Sequence, residues 1–325
     1  MMRLQRHFVV ALLVSLFCGN ALAAAVLNDR DKALLDAAAK GNIAEATRLL
    51  EEGANPNARG DFDYFPLLYA AEDNNQRLCQ LLLEHGATAT QKTANGYDAL
   101  IAAAEQGSMQ LTSLLLQHGA DPQTKTRNGE DAFTYAVRSG FEDVLSMLLS
   151  YGASINTADK DGNTALMTAI IHNQYHIAKM LVLGDAAVNI ENAQGITPLM
   201  LAAERNDTAF TELLLSRQGD VTMADPAGAT PLHIAAAAGN ARVVELLLQH
   251  QAEVNRVDAE GWTPLMSAAF AGQSEVVQLL MQHGANVEIK NRQGQTALEL
   301  ARHASRKSKK VNHGEVMSVL QKSPR

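Results

Sequence analysis

A glycine stands every 33 residues in this chain: Gly96, Gly129, Gly162, Gly195, Gly228, Gly261 and Gly294. Seven glycines on one spacing, with no slip, mean that one supersecondary unit is restated in tandem. A fixed period of this length predicts a solenoid. In a solenoid each unit packs only on its neighbours, so a chain of 325 residues grows without one swelling core. Such arrays seldom enclose a catalytic cleft and leave one long face for a partner.

The unit reads most clearly from Asp225. Asp225-Pro226-Ala227-Gly228 is a turn in which glycine supplies positive φ. Thr230 then caps a short helix, and Pro231 fits its first turn, where no amide hydrogen bond is lost. Gly239-Asn240 stops that helix, and Val243, Val244, Leu246 and Leu247 form the apolar stripe of a second. The scarcity of aromatics, 5%, suits thin helices stacked closely through Ala and Leu.

Thr230-Pro231-Leu232-His233-x-Ala235-Ala236, Leu246-Leu247 and the ending His283-Gly284-Ala285-Asn286-Val287 resemble the ankyrin repeat. The opening recurs at Thr197-Pro198-Leu199 and Thr263-Pro264-Leu265, with degenerate copies at Thr164-Ala165-Leu166 and Thr296-Ala297-Leu298. The resemblance covers residues 28 to 323 and implies an all-α solenoid of about nine helix pairs with projecting β-turn fingers. Repeats then fall near 27–59, 60–92, 93–125, 126–158, 159–191, 192–224, 225–257, 258–290 and 291–323, in one domain from 24 to 325. Repeat one lacks the turn glycine, begins at Asp31 and reads as an N-terminal cap. In the last unit a basic stretch, Ser305 to Lys310, lengthens the connection between the final helices and reads as a solvated loop; docking to an acidic partner or anionic lipid is the other reading. In three successive repeats Asp185, Gln218 and Gln251 replace the helix-ending glycine, a left-handed position in this family. Each costs on the order of 1 kcal/mol there. Residues 183 to 254 are therefore expected to be the least stable seam, and a hinge.

The N-terminus reads as an export signal over residues 1–23. Arg3, Arg6 and His7 precede the apolar run Phe8 to Phe17, and Ala21-Leu22-Ala23 is a small-residue cleavage site. A run of ten residues is too short for a stable membrane span. Anchoring through Cys18 as a lipoprotein is disfavoured, because Ser15 stands where such signals carry Leu. General export to a periplasm, or secretion, is expected. After cleavage Cys79 is left without a disulfide partner; its register with Thr112, Leu145, Ala178, Thr211, Val244 and Val277 marks a buried packing site.

The formal charge is −8, but residues 27–301 hold 34 acidic against 18 basic residues. That balance argues against nucleic acid, whose recognition needs cations along a face. Chemistry is sparse. No nucleophile elbow, phosphate loop or zinc spacing is present, so no catalytic residue, metal or cofactor is expected. His85, His118, His250 and His283 share one repeat position and are expected to bond the neighbouring turn. His172 and His176 stand one helical turn apart but lack an acidic third ligand.

Function is therefore expected on the inner face, at turn tips and on the exposed side of each first helix. Those positions are Asp61, Phe62, Tyr64, Glu72, Asp73, Tyr97, Glu105 and Gln106, then Arg127, Glu130, Arg138, Lys160, Ile196, Glu204 and Arg205, and finally Trp262 and Phe270. The strongest partner-binding candidates are Phe62, Tyr64, Tyr97, Glu105, Arg138, Glu204, Trp262 and Phe270, because exposed aromatics anchor interfaces. Carboxylates between them point to a partner with a basic rim and an apolar centre. The resemblance to exported bacterial ankyrin-repeat proteins implies a monomeric, non-catalytic protein-binding scaffold. Support of a periplasmic catalase and of peroxide resistance is one version. Immunity against a toxin delivered to the periplasm, such as a type VI phospholipase effector, is another, and a secreted effector acting on host proteins is a third.

Overall fold

The structure is a computed structural model and describes residues 27–307 and 313–322. The export signal, Cys18 and residues 308–310 of the basic stretch lie outside the described residues.

Among the described residues, eighteen α-helices form nine antiparallel pairs. They are α1 (Asp29–Ala39) and α2 (Ile43–Glu51), α3 (Pro66–Glu72) and α4 (Gln76–Glu84), α5 (Ala99–Glu105) and α6 (Met109–Gln117), α7 (Ala132–Ser139) and α8 (Glu142–Ser150), and α9 (Ala165–Ile171) and α10 (Tyr175–Leu183). After these come α11 (Pro198–Glu204) and α12 (Thr208–Leu215), α13 (Pro231–Ala238) and α14 (Ala241–Gln249), α15 (Pro264–Ala271) and α16 (Ser274–Gln282), and α17 (Ala297–Lys307) and α18 (His313–Gln321). First helices stack on first helices and second on second. No strand forms among the described residues; only the isolated bridges Lys92–Asp98 and Ala158–Thr164 tie the bases of two fingers.

Local chemistry explains the regularity. First helices α9, α11 and α15 are capped by the hydroxyls of Thr164, Thr197 and Thr263, while Asp98 and Asp131 cap α5 and α7. Such caps satisfy amides that a helix start leaves free. Pro66, Pro198, Pro231 and Pro264 occupy first-turn positions. Buried Ala and Leu from every pair join one apolar core that runs the length of the array. Cys79 lies in it at 0% exposure, and burial pushes its thiol up to about 12.

Two expectations are corrected at the ends. The first helix starts at Asp29, not Asp31, because Asn28 is its cap and accepts the Asp31 amide at 2.8 Å. Asp31 instead reaches out of the first turn to the Asn55 amide, also at 2.8 Å. At the other end Ser305, Arg306 and Lys307 are not loop but the last turn of α17, since nothing in Ala297–Lys307 breaks a helix.

Besides the finger glycines of the 33-residue series, left-handed backbone recurs at two places per repeat. One is the turn between paired helices, filled by Gly41, Gly107, Gly140, Gly239 and Gly272, but by Asn74, Asn173 and Asn206 elsewhere. The other follows each second helix and holds Gly53, Gly86, Gly119, Gly152 and Gly284. Asp185, Gln218 and Gln251 take that second position with φ of 63°, 61° and 67°. Repeats five and six thus carry a side chain at both left-handed sites, which L-residues disfavour by about 1–2 kcal/mol each.

Candidate interaction face

In several repeats a finger side chain reaches across to a side chain in the last turn of the first helix. A finger residue and the residue eight positions later repeatedly touch there. The Tyr64 hydroxyl donates to Glu72 Oε1 at 3.0 Å, and the Tyr97 hydroxyl donates to Glu105 Oε2 at 2.6 Å. Arg138 donates to Glu130. Trp262 meets Phe270 edge-on, ring centroids 5.4 Å apart. Spacing by eight places the finger residue and its partner in the same relation because each repeat has the same turn, cap and first helix.

The N-terminal end of this face is a tyrosine and carboxylate cluster. Tyr64 stacks obliquely on Tyr69 at 5.0 Å, and Tyr97 meets Tyr135 at 5.8 Å. The Arg138 guanidinium lies 5.0 Å above the Tyr135 ring, a cation–π contact. Burial, then the neighbouring Glu72 and Glu105 carboxylates, raise the phenols of Tyr64 and Tyr97 well above their ordinary range. Both phenols therefore stay protonated donors at every physiological pH.

The C-terminal end is apolar and held from beneath. Buried His233 accepts the Thr230 amide at Nδ1, 3.2 Å away, and its Nε2 donates to the Trp262 carbonyl at 3.0 Å. His313 Nε2 bonds the Phe270 carbonyl at 3.0 Å. Two histidines from neighbouring repeats thus fix the backbone under each ring. Phe270 is 44% exposed, while Trp262 is half-buried against it.

The remaining candidates fall as follows. Phe62 is 62% exposed at the tip of finger two, a 3₁₀ turn in which Phe62 and Asp63 have φ of 57° and 61°. Tyr64, Tyr97 and Arg138 are half-buried by the contacts above, and Glu105 and Glu204 are exposed. The structure brings Tyr64, Tyr97, Glu105 and Arg138 together and sets Trp262 with Phe270 at the other end; Glu204 joins neither group. Sequence reasoning missed Tyr69, Tyr135 and His233. Aligning the 33-residue register at an offset of eight would have exposed the pairs, whereas His233 looked like one more copy of a repeat motif.

The histidine expectation needs correction. His85, His118, His250 and His283 each end a second helix and are exposed. His118 bonds the Leu114 carbonyl of its own helix at 2.9 Å, not the neighbouring turn. His172 ends α9 and His176 lies in the first turn of α10, both exposed. Partial burial, then Arg138 and Arg205, hold His172 below the usual imidazole range. No group of three or more His, Cys, Asp or Glu residues suited to a metal occurs among the described residues.

These features define a helix-pair solenoid whose finger edge is a continuous surface with one acidic, tyrosine-rich end and one aromatic end. The sequence profile of ankyrin repeats in three copies matches residues 34–126, 110–192, 183–258 and 252–310. The chain belongs to the ankyrin-repeat family. No curated protein matches it. No helix among the described residues is long and apolar enough to cross a membrane.

Proposed function

We propose that this chain is an exported, monomeric, non-catalytic scaffold that binds one protein partner along its finger edge. Ankyrin repeats are protein-binding modules, and the observation that carries the reading here is the braced row of side chains from Tyr64 to Phe270. A rigid row presents anchors at small entropic cost. Exposed Glu105 and Glu204, with an acidic body, favour a partner with a basic rim, and Phe270 with Trp262 favours an apolar anchor.

The basic N-terminal residues, apolar run and Ala21-Leu22-Ala23 support export to an envelope compartment. There the proposed partner is a peroxide-detoxifying catalase, the role implied by resemblance to exported relatives. Capture from an envelope extract with the immobilised chain, followed by identification of the bound protein, tests the reading. A catalase lost on Trp262→Ala or Glu105→Gln supports it. A delivered toxin bound in the same way would replace catalase support by immunity, and capture unaffected by either substitution would remove the face.

A further inference from the structure

One junction in the array is built differently from its neighbours. From the third finger to the ninth, a backbone hydrogen bond joins each finger to the next at every junction but one. The amides of Arg127, Lys160, Ala193, Ala259 and Arg292 donate to the carbonyls of Asn95, Asn128, Asp161, Ala227 and Glu260, at 2.7–3.0 Å. Between the sixth and seventh repeats the donor position is Pro226, which has no N–H. Its ring fills the space instead: a Cβ on Gly195 would stand 2.6 Å from Pro226 Cδ.

A second bond fails at the same place. Asn189 and Asn255 each clamp the following repeat through their side-chain amides. Asn189 donates to the Gln218 carbonyl and accepts from Asp220, and Asn255 does the same to Gly284 and Asn286, at 2.8–3.2 Å. The equivalent residue at the sixth–seventh junction is Thr222, too short to reach, and its hydroxyl turns back to Asp220 at 2.7 Å. Gln218 and Gln251, the two left-handed side chains beside these loops, lie at the same end of the helices. At the opposite end the repeats stay joined, because Asn240 Nδ2 donates to the buried Ala203 carbonyl at 2.6 Å. Finger two is a separate case, since its turn is irregular and Arg59 bridges to the Lys92 carbonyl at 3.1 Å.

We propose that the sixth–seventh junction is a hinge, pivoting at the Asn240–Ala203 bond and opening at the finger end. It divides the face into a block carrying Tyr97, Glu105, Arg138 and Glu204 and a block carrying Trp262 and Phe270. Opening or closing it sets the distance between the acidic end and the apolar end. The hinge therefore controls which spacing of basic and apolar groups a partner must have; that consequence rests on the scaffold reading, while the hinge itself does not.

Pulsed electron resonance on spin-labelled finger tips tests it, in a Cys18→Ala background where buried Cys79 labels poorly. The pair Lys160→Cys with Ala259→Cys crosses the junction, and Ala94→Cys with Ala193→Cys spans as many repeats without crossing it. The crossing pair is expected to give a distance distribution at least about twice as wide. Pro226→Ala with Thr222→Asn, which restores the donor and the clamp, is expected to narrow it to match. Hydrogen exchange of the unmodified chain is the second readout, with residues 218–230 expected to exchange at least about tenfold faster than 152–164. Equal widths in the unrestored chain, a width unmoved by the double substitution, or equal exchange would each overturn the hinge. Failure to capture any envelope protein would remove the scaffold reading and leave these measurements standing.

Discussion

Asp98 and His233 are both buried and both titratable, yet they bias stability in opposite directions with pH. Asp98 caps α5 through Oδ1, which accepts the Ile101 amide at 2.8 Å, but its Oδ2 has no hydrogen-bond partner of normal geometry. One repeat later Asp131 Oδ2 accepts the Thr157 hydroxyl at 2.5 Å; the corresponding Thr124 lowers Asp98 only slightly. Burial dominates and pushes Asp98 up to about 7. A folded value above the ordinary carboxylate value means the fold prefers the protonated form. This contribution is full below about pH 4 and lost as pH rises through 7. Asp98→Asn keeps the cap and removes the charge. Its stability advantage in urea titrations is expected to grow by on the order of 2 kcal/mol from pH 4 to pH 8. His233 is shifted the other way, because burial disfavours its charged form. Its contribution is full above the ordinary imidazole value near 6.5 and lost as pH falls. NMR titration should show His233 holding its proton less tightly than an ordinary imidazole, below about 6.5. His233→Ala, which frees the Thr230 amide and the Trp262 carbonyl, is expected to cost about 1–3 kcal/mol. The caps were legible in the sequence as Thr and Asp at fixed register. The orphaned oxygen was not, since a misaligned hydroxyl one repeat away leaves no compositional trace.

At the scale of the element, the short helices of this array depend on their ends. A helix of seven to nine residues, such as α11 or α14, is too short to persist in water by propensity alone. It survives through caps, left-handed stops and packing on the next pair. Gln218→Gly and Gln251→Gly relieve left-handed strain and are expected to raise stability by about 0.5–1 kcal/mol each, read as shifts in the urea midpoint. The missing glycines were visible in the sequence and their positive φ was expected from register. The sequence alone spread the weak region over residues 183 to 254. Bond geometry confines it to one junction, because Pro226 and Thr222 matter only for what stands opposite them. The same limit applied to the face: Tyr64 and Glu72 were both chosen as exposed, yet each half-satisfies the other.

Over the whole molecule, apolar burial is shared between neighbours, so perturbation at one repeat spreads only as far as its interfaces allow. An elongated scattering profile, not a compact one, is expected for the chain in solution. The charge pattern acts at this scale too. Capture of a basic partner by the exposed carboxylates should weaken several-fold between 50 and 200 mM salt, whereas the contribution of Trp262 and Phe270 should not. A binding isotherm repeated with Glu105→Gln checks this, since that variant should lose part of the salt dependence.

The sequence by itself determined the repeat, the order of the helices and the register of their turns and caps. Those properties follow from local rules of register, turn chemistry and apolar period, each contained within a few residues. Tertiary structure decided the contacts between residues eight, thirty or more positions apart: the finger-to-helix braces, the histidines beneath Trp262 and Phe270, and the bonds lost at Pro226 and Thr222. These depend on distance across a stacked interface, where a single atom more or less decides whether a bond closes.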